Sequence, residues 1–305
     1  MNNSSTIDIE TWFIPHDIIM IIILSFAILL GIFFLLIIIL DQTSHTLPMI
    51  LTANSCLTQI CFAIVLLLMT IFMLENDLKQ RYYYDLYCII RGYLSYATCT
   101  AMNYSFLLQA IYRYILVIYP LNVCWQSIKI QLLLIAATWL FSYLYPLAFV
   151  FTNDITYNVN NQLCQIPLRL SFPLLFVISN GYLGPVLIIQ LIYLKLVRHV
   201  KQISRNVITT RNNLPRLRRE LKMVRRIVTI TTILVVLGLP YTSFLFISFF
   251  TEPVKYYYRI SAIFTNPSLI FIMIALFQFT ESLKLFILRK MNIRTETVIP
   301  TIELR

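Results

Sequence analysis

The stretch Ala101–Pro120, AMNYSFLLQAIYRYILVIYP, decides how the rest of the chain is interpreted. It is apolar and aromatic apart from a few polar side chains and Arg113, which has no acid next to it in the sequence. An arginine inside a membrane is costly, so it marks a functional site and should have a partner elsewhere in the fold. Cys88 lies 25 residues before Arg113, which corresponds to about seven helical turns and roughly one bilayer core. The stretch is therefore predicted to be the inner half of a membrane helix that carries a cysteine at its outer end.

The composition is that of a membrane protein. The 305 residues are 59% hydrophobic and 12% charged, with a mean hydropathy of +0.78, whereas soluble domains carry about 25% charged residues. Only five glycines occur, which disfavours a glycine-rich transporter or a nucleotide-binding fold. The net charge of +11 comes mainly from basic residues in short segments between apolar runs. Membrane topology and the anionic inner leaflet explain that pattern better than nucleic-acid binding does.

Seven apolar runs predict an all-α membrane protein, a seven-transmembrane helix bundle. The predicted spans are about 18–40, 48–74, 86–119, 130–151, 168–200, 218–250 and 256–280. Residues 1–17 are predicted to be an extracellular N-terminus, residues 281–291 an amphipathic membrane-surface helix, and residues 292–305 a cytoplasmic tail. This topology places 18 of the 24 lysines and arginines inside and 6 outside, so the positive-inside rule favours an outer N-terminus.

The third span resembles the third helix of the rhodopsin-like (class A) G-protein-coupled receptors. In that family a cysteine opens the helix, an Asp/Glu-Arg-Tyr triplet closes it, and a proline follows. Here Cys88 opens the span, the triplet is Tyr112-Arg113-Tyr114, and the proline is Pro120. The arginine and tyrosine match, but the acid is replaced. The alternative is an ordinary helix end with a snorkelling arginine.

Other spans add to this resemblance. Trp139 and Pro146 stand where the family carries a tryptophan and a proline in its fourth helix. Pro185 and Tyr193, eight residues apart, match a pair in the fifth helix, and Pro240 matches the proline that kinks the sixth. The resemblance covers about residues 15–291 and implies a divergent, peptide-receptor-like member that binds an extracellular ligand and activates a G protein by outward movement of helix six.

The resemblance also implies a disulfide and an activation switch. Cys88 is expected to pair with Cys164 in the outer loop 152–167, which would hold that loop as a lid. The switch residues are predicted to be Arg113, Tyr114, Tyr193, Glu220 and Pro240. Glu220 lies 20 residues before Pro240, where many receptors carry an acid that pairs with the arginine. We hypothesise an Arg113–Glu220 latch in the inactive state; the alternative is that Glu220 is one solvated charge among basic neighbours.

The predicted ligand class follows from the lack of an acidic residue in the outer half of the third span. Ser95 stands where amine receptors place an aspartate, so a monoamine ligand is disfavoured and a neuropeptide is favoured. The candidate cavity residues are Ser95, Tyr93, Tyr241 and Phe244. An aromatic rim that includes Tyr82, Tyr83, Tyr84, Tyr87, Tyr256, Tyr257 and Tyr258 fits a ligand cage, but fits an interfacial aromatic belt better. Asn2 and Asn3 begin glycosylation sequons.

Several positions depart from the family pattern. Gly238 replaces the tryptophan that usually senses the ligand, and Leu234 replaces a phenylalanine below it. Gln59 replaces a sodium-binding aspartate, so we expect a weak or absent sodium site. The Asn-Pro-x-x-Tyr motif has two possible alignments, either at the visible Asn266-Pro267 or, counting back from Phe286, at residues 275–279, where only the final aromatic remains.

Other classes of protein fit less well. A retinal protein needs a lysine inside the seventh span, and none lies between Arg259 and Lys284. A transporter would show acids at the midplane or broken, glycine-rich helices. The three histidines, His16, His45 and His199, lie at membrane edges, so no enzymatic, metal or cofactor site is predicted. The open alternative is a seven-helix chemoreceptor or receptor-fold protein without G-protein coupling. In either case we expect a multi-pass plasma-membrane protein.

Overall fold

The computed structural model describes residues 10–40, 46–79, 86–119, 125, 127–206, 232–233, 235–236, 238–251 and 254–278. The predicted all-α bundle is confirmed. The long helices are Phe13–Leu40, Leu47–Lys79, Leu86–Ile118, Ile128–Leu144, Gly184–Asn206 and Tyr257–Gln278, with short helices at Leu147–Phe151 and Phe172–Ile178 and a π-helical turn at Ser179–Leu183. Residues 238–248 are helical and belong to the sixth span. Among the residues that the structure describes, five helical segments are long and apolar enough to cross a membrane by length and composition.

The first helix begins earlier than its composition suggests. It starts at Phe13, five residues before the predicted start of the span. The added turn carries His16 and Asp17, which are buried against the seventh span rather than exposed in the N-terminus. Similarly, the second helix continues to Lys79, past the predicted end at 74, because Asp77 is buried and ion-paired. Charged residues at these ends belong to the bundle.

Prolines divide the fourth and fifth spans. The fourth helix ends at Leu144, and Pro146 precedes the short helix Leu147–Phe151. Because proline has no N–H and its ring clashes with the preceding turn, a continuous helix through this position is disfavoured. The fifth span begins at Phe172 with a proline in its first turn, passes through the π-helical turn, and continues to Asn206 rather than ending at 200.

Two short strands form the loop that follows the fourth span. Strand β1 (Thr156–Asn158) pairs antiparallel with β2 (Leu163–Gln165), with Tyr157 opposite Cys164. The backbone N–H of Asn161 donates to Asn158 Oδ1 at 3.1 Å and closes the turn. We call the end of the bundle under these strands the hairpin end and the opposite end, near Arg113, the arginine end.

The apolar core has separate regions along the bundle. The largest joins the first, second, third and seventh spans through residues such as Leu24, Phe106 and Ile272. A second lies at the hairpin end around the disulfide. A third, at the arginine end, packs Tyr112 with Leu51 and Leu108 between the second and third spans. Tyr112, the residue before Arg113, is thus buried in the apolar contact between these spans.

Candidate functional site

A cavity of about 210 Å³ opens between the spans below the hairpin. Its walls come from the second, third, fifth, sixth and seventh spans, from Tyr145 of the fourth and from Gln165 of the hairpin. The hydroxyl and amide side chains on these walls include Ser95, Asn103, Tyr182 and Asn266. None of the described residues that line the cavity is charged. The cavity is therefore suited to an uncharged, largely apolar group, since buried polar groups need matching hydrogen bonds.

The four predicted cavity residues divide into two pairs. Ser95 and Tyr241 line the cavity. Tyr93 instead donates from its hydroxyl to the carbonyl of Tyr143 in the fourth span at 2.7 Å. Phe244 packs against the apolar cluster at the hairpin end. The sequence spacing placed all four near the hairpin end, but it did not distinguish side chains that face the cavity from those that face a neighbouring helix.

The hairpin is fixed over this cavity at several points. The predicted disulfide joins Cys88 to Cys164, with an S–S distance of 2.08 Å. The backbone N–H of Ile166 donates to the Tyr96 hydroxyl at 3.0 Å, and Gln165 bonds to the Tyr257 hydroxyl. The hairpin is thereby tied to the third and seventh spans and forms one wall of the cavity.

Three of the predicted switch residues, Arg113, Tyr114 and Tyr193, lie towards the arginine end. Arg113 is 4% exposed, so its guanidinium lies inside the protein rather than snorkelling to the surface. Tyr114 is half-buried, with its ring 6.4 Å edge-on from that of Tyr119. Tyr193 is half-buried on the fifth span. Glu220, the hypothesised partner of Arg113, lies outside the described residues, as do Asn2 and Asn3.

Trp139, which carried part of the resemblance, contacts the second span. Trp139 of the fourth span donates from Nε1 to Asn54 Oδ1 of the second span at 2.9 Å. Gln59, one and a half turns further along the second span, is 1% exposed and its amide makes no hydrogen bond to any described residue. An uncharged amide there cannot supply the negative charge that a sodium ion needs.

The two possible motif positions lie at different depths of the seventh span. Asn266 lines the cavity together with Ser95, so it lies in the half of the span nearer the hairpin. Phe277 stacks on Phe34 at 4.9 Å, near the end of the first helix that lies away from the hairpin. Residues 275–278 are therefore nearer the arginine end than Asn266-Pro267 is, and residue 279 lies outside the described residues.

A buried cluster of charges at the hairpin end is the main feature that sequence reasoning missed. Arg259 of the seventh span donates to Asp17 Oδ2 of the first span at 2.9 Å and to Asp77 Oδ2 of the second at 2.8 Å. The three side chains are fully buried. The Arg259 guanidinium also lies 4.1 Å above the ring of Phe13. One cation thus ties three spans together.

His16 completes this cluster. Its Nδ1 lies 2.8 Å from Asp17 Oδ1, and its Nε2 lies 3.1 Å from the carbonyl oxygen of Arg259. Both ring nitrogens therefore face oxygen atoms, and the imidazole links the start of the first span to the backbone of the seventh.

The spacing of these four residues offered only an indirect signal. Asp17 and Asp77 stand just beyond the apolar runs of their spans, and Arg259 stands at the start of the seventh. Each looked like a residue at a membrane edge. Only the register between the spans brings them together.

Comparison with known proteins agrees with this architecture. The model of the 7 transmembrane receptor (rhodopsin family) matches residues 19–282. The fold is similar to that in the crystal structure of squid rhodopsin, with a TM-score of 0.76, 16% identity, and coverage of 91% of this chain and 82% of that chain. No curated protein matches the sequence.

The chain therefore belongs to the rhodopsin family of seven-transmembrane receptors. It is a multi-pass membrane protein of a receptor family rather than of an enzyme family.

Proposed function

We propose that this receptor converts the binding of an extracellular ligand at the hairpin end into activation of a heterotrimeric G protein at the arginine end. The uncharged cavity beneath a disulfide-anchored hairpin is the observation that carries the proposal. It offers a ligand site in the half of the third span that begins at Cys88, while buried Arg113 lies 25 residues after Cys88, at the other end. In this mechanism the ligand favours a bundle in which the sixth span swings outward at Pro240.

The favoured ligand is a neuropeptide that inserts an uncharged side chain into the cavity. The cavity lacks a charged lining residue among the described ones, which disfavours a monoamine, as does Ser95. The hairpin wall supplies Gln165, and β1 and β2 present a backbone edge that an extended peptide could approach. The N-terminus, with its sequons at Asn2 and Asn3, would then be extracellular at the plasma membrane.

On the cytoplasmic side, the latch between Arg113 and Glu220 keeps the receptor inactive in this proposal. Outward movement of the sixth span separates the two residues, and Tyr193 and Tyr114 then lie beside the arginine where the G protein inserts. The burial of Arg113 supports the arginine half of the latch, because a buried guanidinium requires a partner.

Basal G-protein activation in cells tests both the coupling to a G protein and the Arg113–Glu220 latch. Wild type is compared with Glu220→Ala and Arg113→Ala at matched surface expression. Higher basal activation in Glu220→Ala and its loss in Arg113→Ala would support coupling and the latch. Unchanged activity in both variants would instead favour a receptor-fold protein without G-protein coupling. A neuropeptide library on the Glu220→Ala background would then test the ligand class, with activation by lipids or small metabolites alone counting against a peptide.

A further inference from the structure

At Gly238 the sixth span has no side chain, although the resemblance leads one to expect a tryptophan there. We call the space beside Gly238 the hole, and a tyrosine from the fifth span fills it. A Cβ atom at Gly238 would overlap the hydroxyl oxygen of Tyr182 and stand 3.0 Å from its Cζ. Any residue larger than glycine at 238 would therefore displace the Tyr182 ring. The side chain that occupies this space comes from another helix.

The backbone under Tyr182 is held on the opposite side. Tyr182 lies within the π-helical turn Ser179–Leu183. The carbonyl of Gly181 accepts a hydrogen bond from Asn103 Nδ2 of the third span at 2.8 Å. A Cβ at Gly181 would stand 2.8 Å from Thr100 Oγ1 and 2.9 Å from the Tyr145 hydroxyl. The turn is thus pressed against the third and fourth spans, and the next residue along it reaches the sixth.

The hole lies where the sixth span can bend. Gly238 precedes Pro240 by two residues, and proline removes a helical hydrogen bond and kinks the helix. Tyr182, Gly238 and Tyr241 all line the cavity, so a group that enters it meets the tyrosine, the hole and the kink together. π-helical turns such as the one that carries Tyr182 are frequent at functional sites.

We propose that Tyr182, seated in the hole at Gly238, is the residue through which a ligand in the cavity acts on the sixth span. This inference rests on the proposed receptor function and assigns the ligand-sensing contact within it. A ligand that moves the Tyr182 ring empties or refills the hole beside Pro240, and the sixth span repacks in response.

The same contact indicates the chemistry of the inserted group. Asn103 Oδ1 is buried at the cavity and accepts no hydrogen bond from a described residue, whereas Asn103 Nδ2 is already used by Gly181. A ligand group with a donor next to an apolar ring would satisfy that oxygen while contacting Tyr182. Phenol and indole groups, as in tyrosine and tryptophan side chains, have this combination.

The first experiment compares a single and a double variant of the contact. Gly238→Ala makes the Tyr182 ring shift away from the sixth span, whereas Tyr182→Ala/Gly238→Ala removes the clash. Leu183→Ala and Leu239→Ala, exposed neighbours on the same turns, are the matched controls. Spin labels introduced at Thr232 and Ile128 report the distance between the sixth and fourth spans in detergent-purified receptor. We expect Gly238→Ala to shift this distance distribution and to change basal G-protein activation about fivefold or more, and the double variant to return both towards wild type.

The second experiment uses p-cresol and 3-methylindole as probes of the cavity. Both should raise the Tm of wild type, and Asn103→Leu should abolish that rise; toluene, which has the ring without a donor, is the control ligand. A Gly238→Ala variant that is folded and has the wild-type distance distribution would overturn the inference, as would equal stabilisation by toluene.

The two proposals can fail separately. A shifted distance distribution without G-protein activation in any variant would leave the Tyr182 contact intact and refute coupling. Normal activation of the wild type by a ligand, with no effect of Gly238→Ala, would refute the role of Tyr182 and leave coupling intact.

Discussion

Two sides of the bundle are held together in opposite ways. On one side, the first, second and seventh spans are joined by the cluster of His16, Asp17, Asp77 and Arg259, in which a single guanidinium bonds to two other helices. On the other side, the third, fifth and sixth spans line a cavity that the second and seventh spans also border, and they carry a π-helical turn, a glycine hole and a proline. Separating a buried ion pair is costly because each charge is left without its partner. The Tyr182 ring, in contrast, can leave the hole at Gly238 by rotation of its side chain. The first side is suited to remain fixed while the second moves.

The strongest test of this difference is removal of the shared cation. Arg259→Met should lower the free energy of unfolding by about 3–5 kcal/mol, because it leaves two buried carboxylates without a counterion. The measurement is the Tm of purified receptor, with surface expression as a second readout. Arg169→Met, which removes an exposed arginine, is the control and should change little.

A compensating variant separates charge from packing. Asp17→Asn/Asp77→Asn in the Arg259→Met background removes the excess negative charge and should recover a large part of the lost stability. If the triple variant is no better than Arg259→Met alone, the cluster stabilises the bundle mainly through the packing of the arginine on Phe13.

The disulfide should have the next largest effect, and it lies on the cavity side. Cys88→Ser opens a loop of 76 residues and should cost about 2–4 kcal/mol in stability. We expect ligand affinity to fall more than coupling, since Gln165 and Ile166 would lose the covalent tie and keep their hydrogen bonds to Tyr257 and Tyr96. The Cys164→Ser variant should match Cys88→Ser in Tm and affinity; a clear difference between them would mean that one cysteine has a second role.

The hydrogen bond behind the π-helical turn should have a smaller effect on stability but a visible effect on signalling. Asn103→Leu removes the donor to the Gly181 carbonyl and should cost about 1–2 kcal/mol. Because the turn then holds Tyr182 less firmly, basal G-protein activation should change as well. A Ser142→Ala variant, which loses a hydrogen bond within the fourth helix, is the control. Equal effects of both variants on activation would contradict a special role of the turn.

The smallest effect is expected on the fixed side, at Gln59. Gln59→Leu removes a buried amide that is not hydrogen-bonded to any described residue and should raise stability by about 1 kcal/mol. Gln131→Leu is the matched control, because Gln131 Nε2 donates to the Trp125 carbonyl at 2.8 Å and its loss should lower the Tm. A destabilised Gln59→Leu variant would show that this amide binds a water or an ion.

Much of the fold could be predicted from hydropathy alone, because a membrane helix needs about 20 apolar residues and little else. The disulfide and the buried arginine followed from motifs with fixed spacing at helix ends. Helix limits were less predictable. Phe13 and Lys79 lie outside the apolar runs, and their helices extend to them because Asp17 and Asp77 find a cation on the seventh span. A partner distant in sequence leaves no mark on local composition.

The candidate site, like the fold, could be predicted from the sequence only in part. Ser95 and Tyr241 could be placed near the cavity from their position on the spans, but the rotation of Tyr93 towards the fourth span depends on the packing of two helices. Gly238 was recognisable as a departure from the family pattern. That Tyr182 fills the vacated space could not be predicted, since it depends on the π-helical turn and its bond to Asn103.

The most direct test of a fixed side and a moving side is a pair of distances measured between spin labels in the receptor by double electron–electron resonance. One label pair, at Thr232 and Ile128, spans the sixth and fourth helices; the other, at Ile39 and Ile274, spans the first and seventh. The Glu220→Ala receptor is measured alone and with a nucleotide-free G protein. We predict that the first distance lengthens on G-protein binding while the second keeps its distribution. A constant first distance, or equal changes in both, would contradict the account.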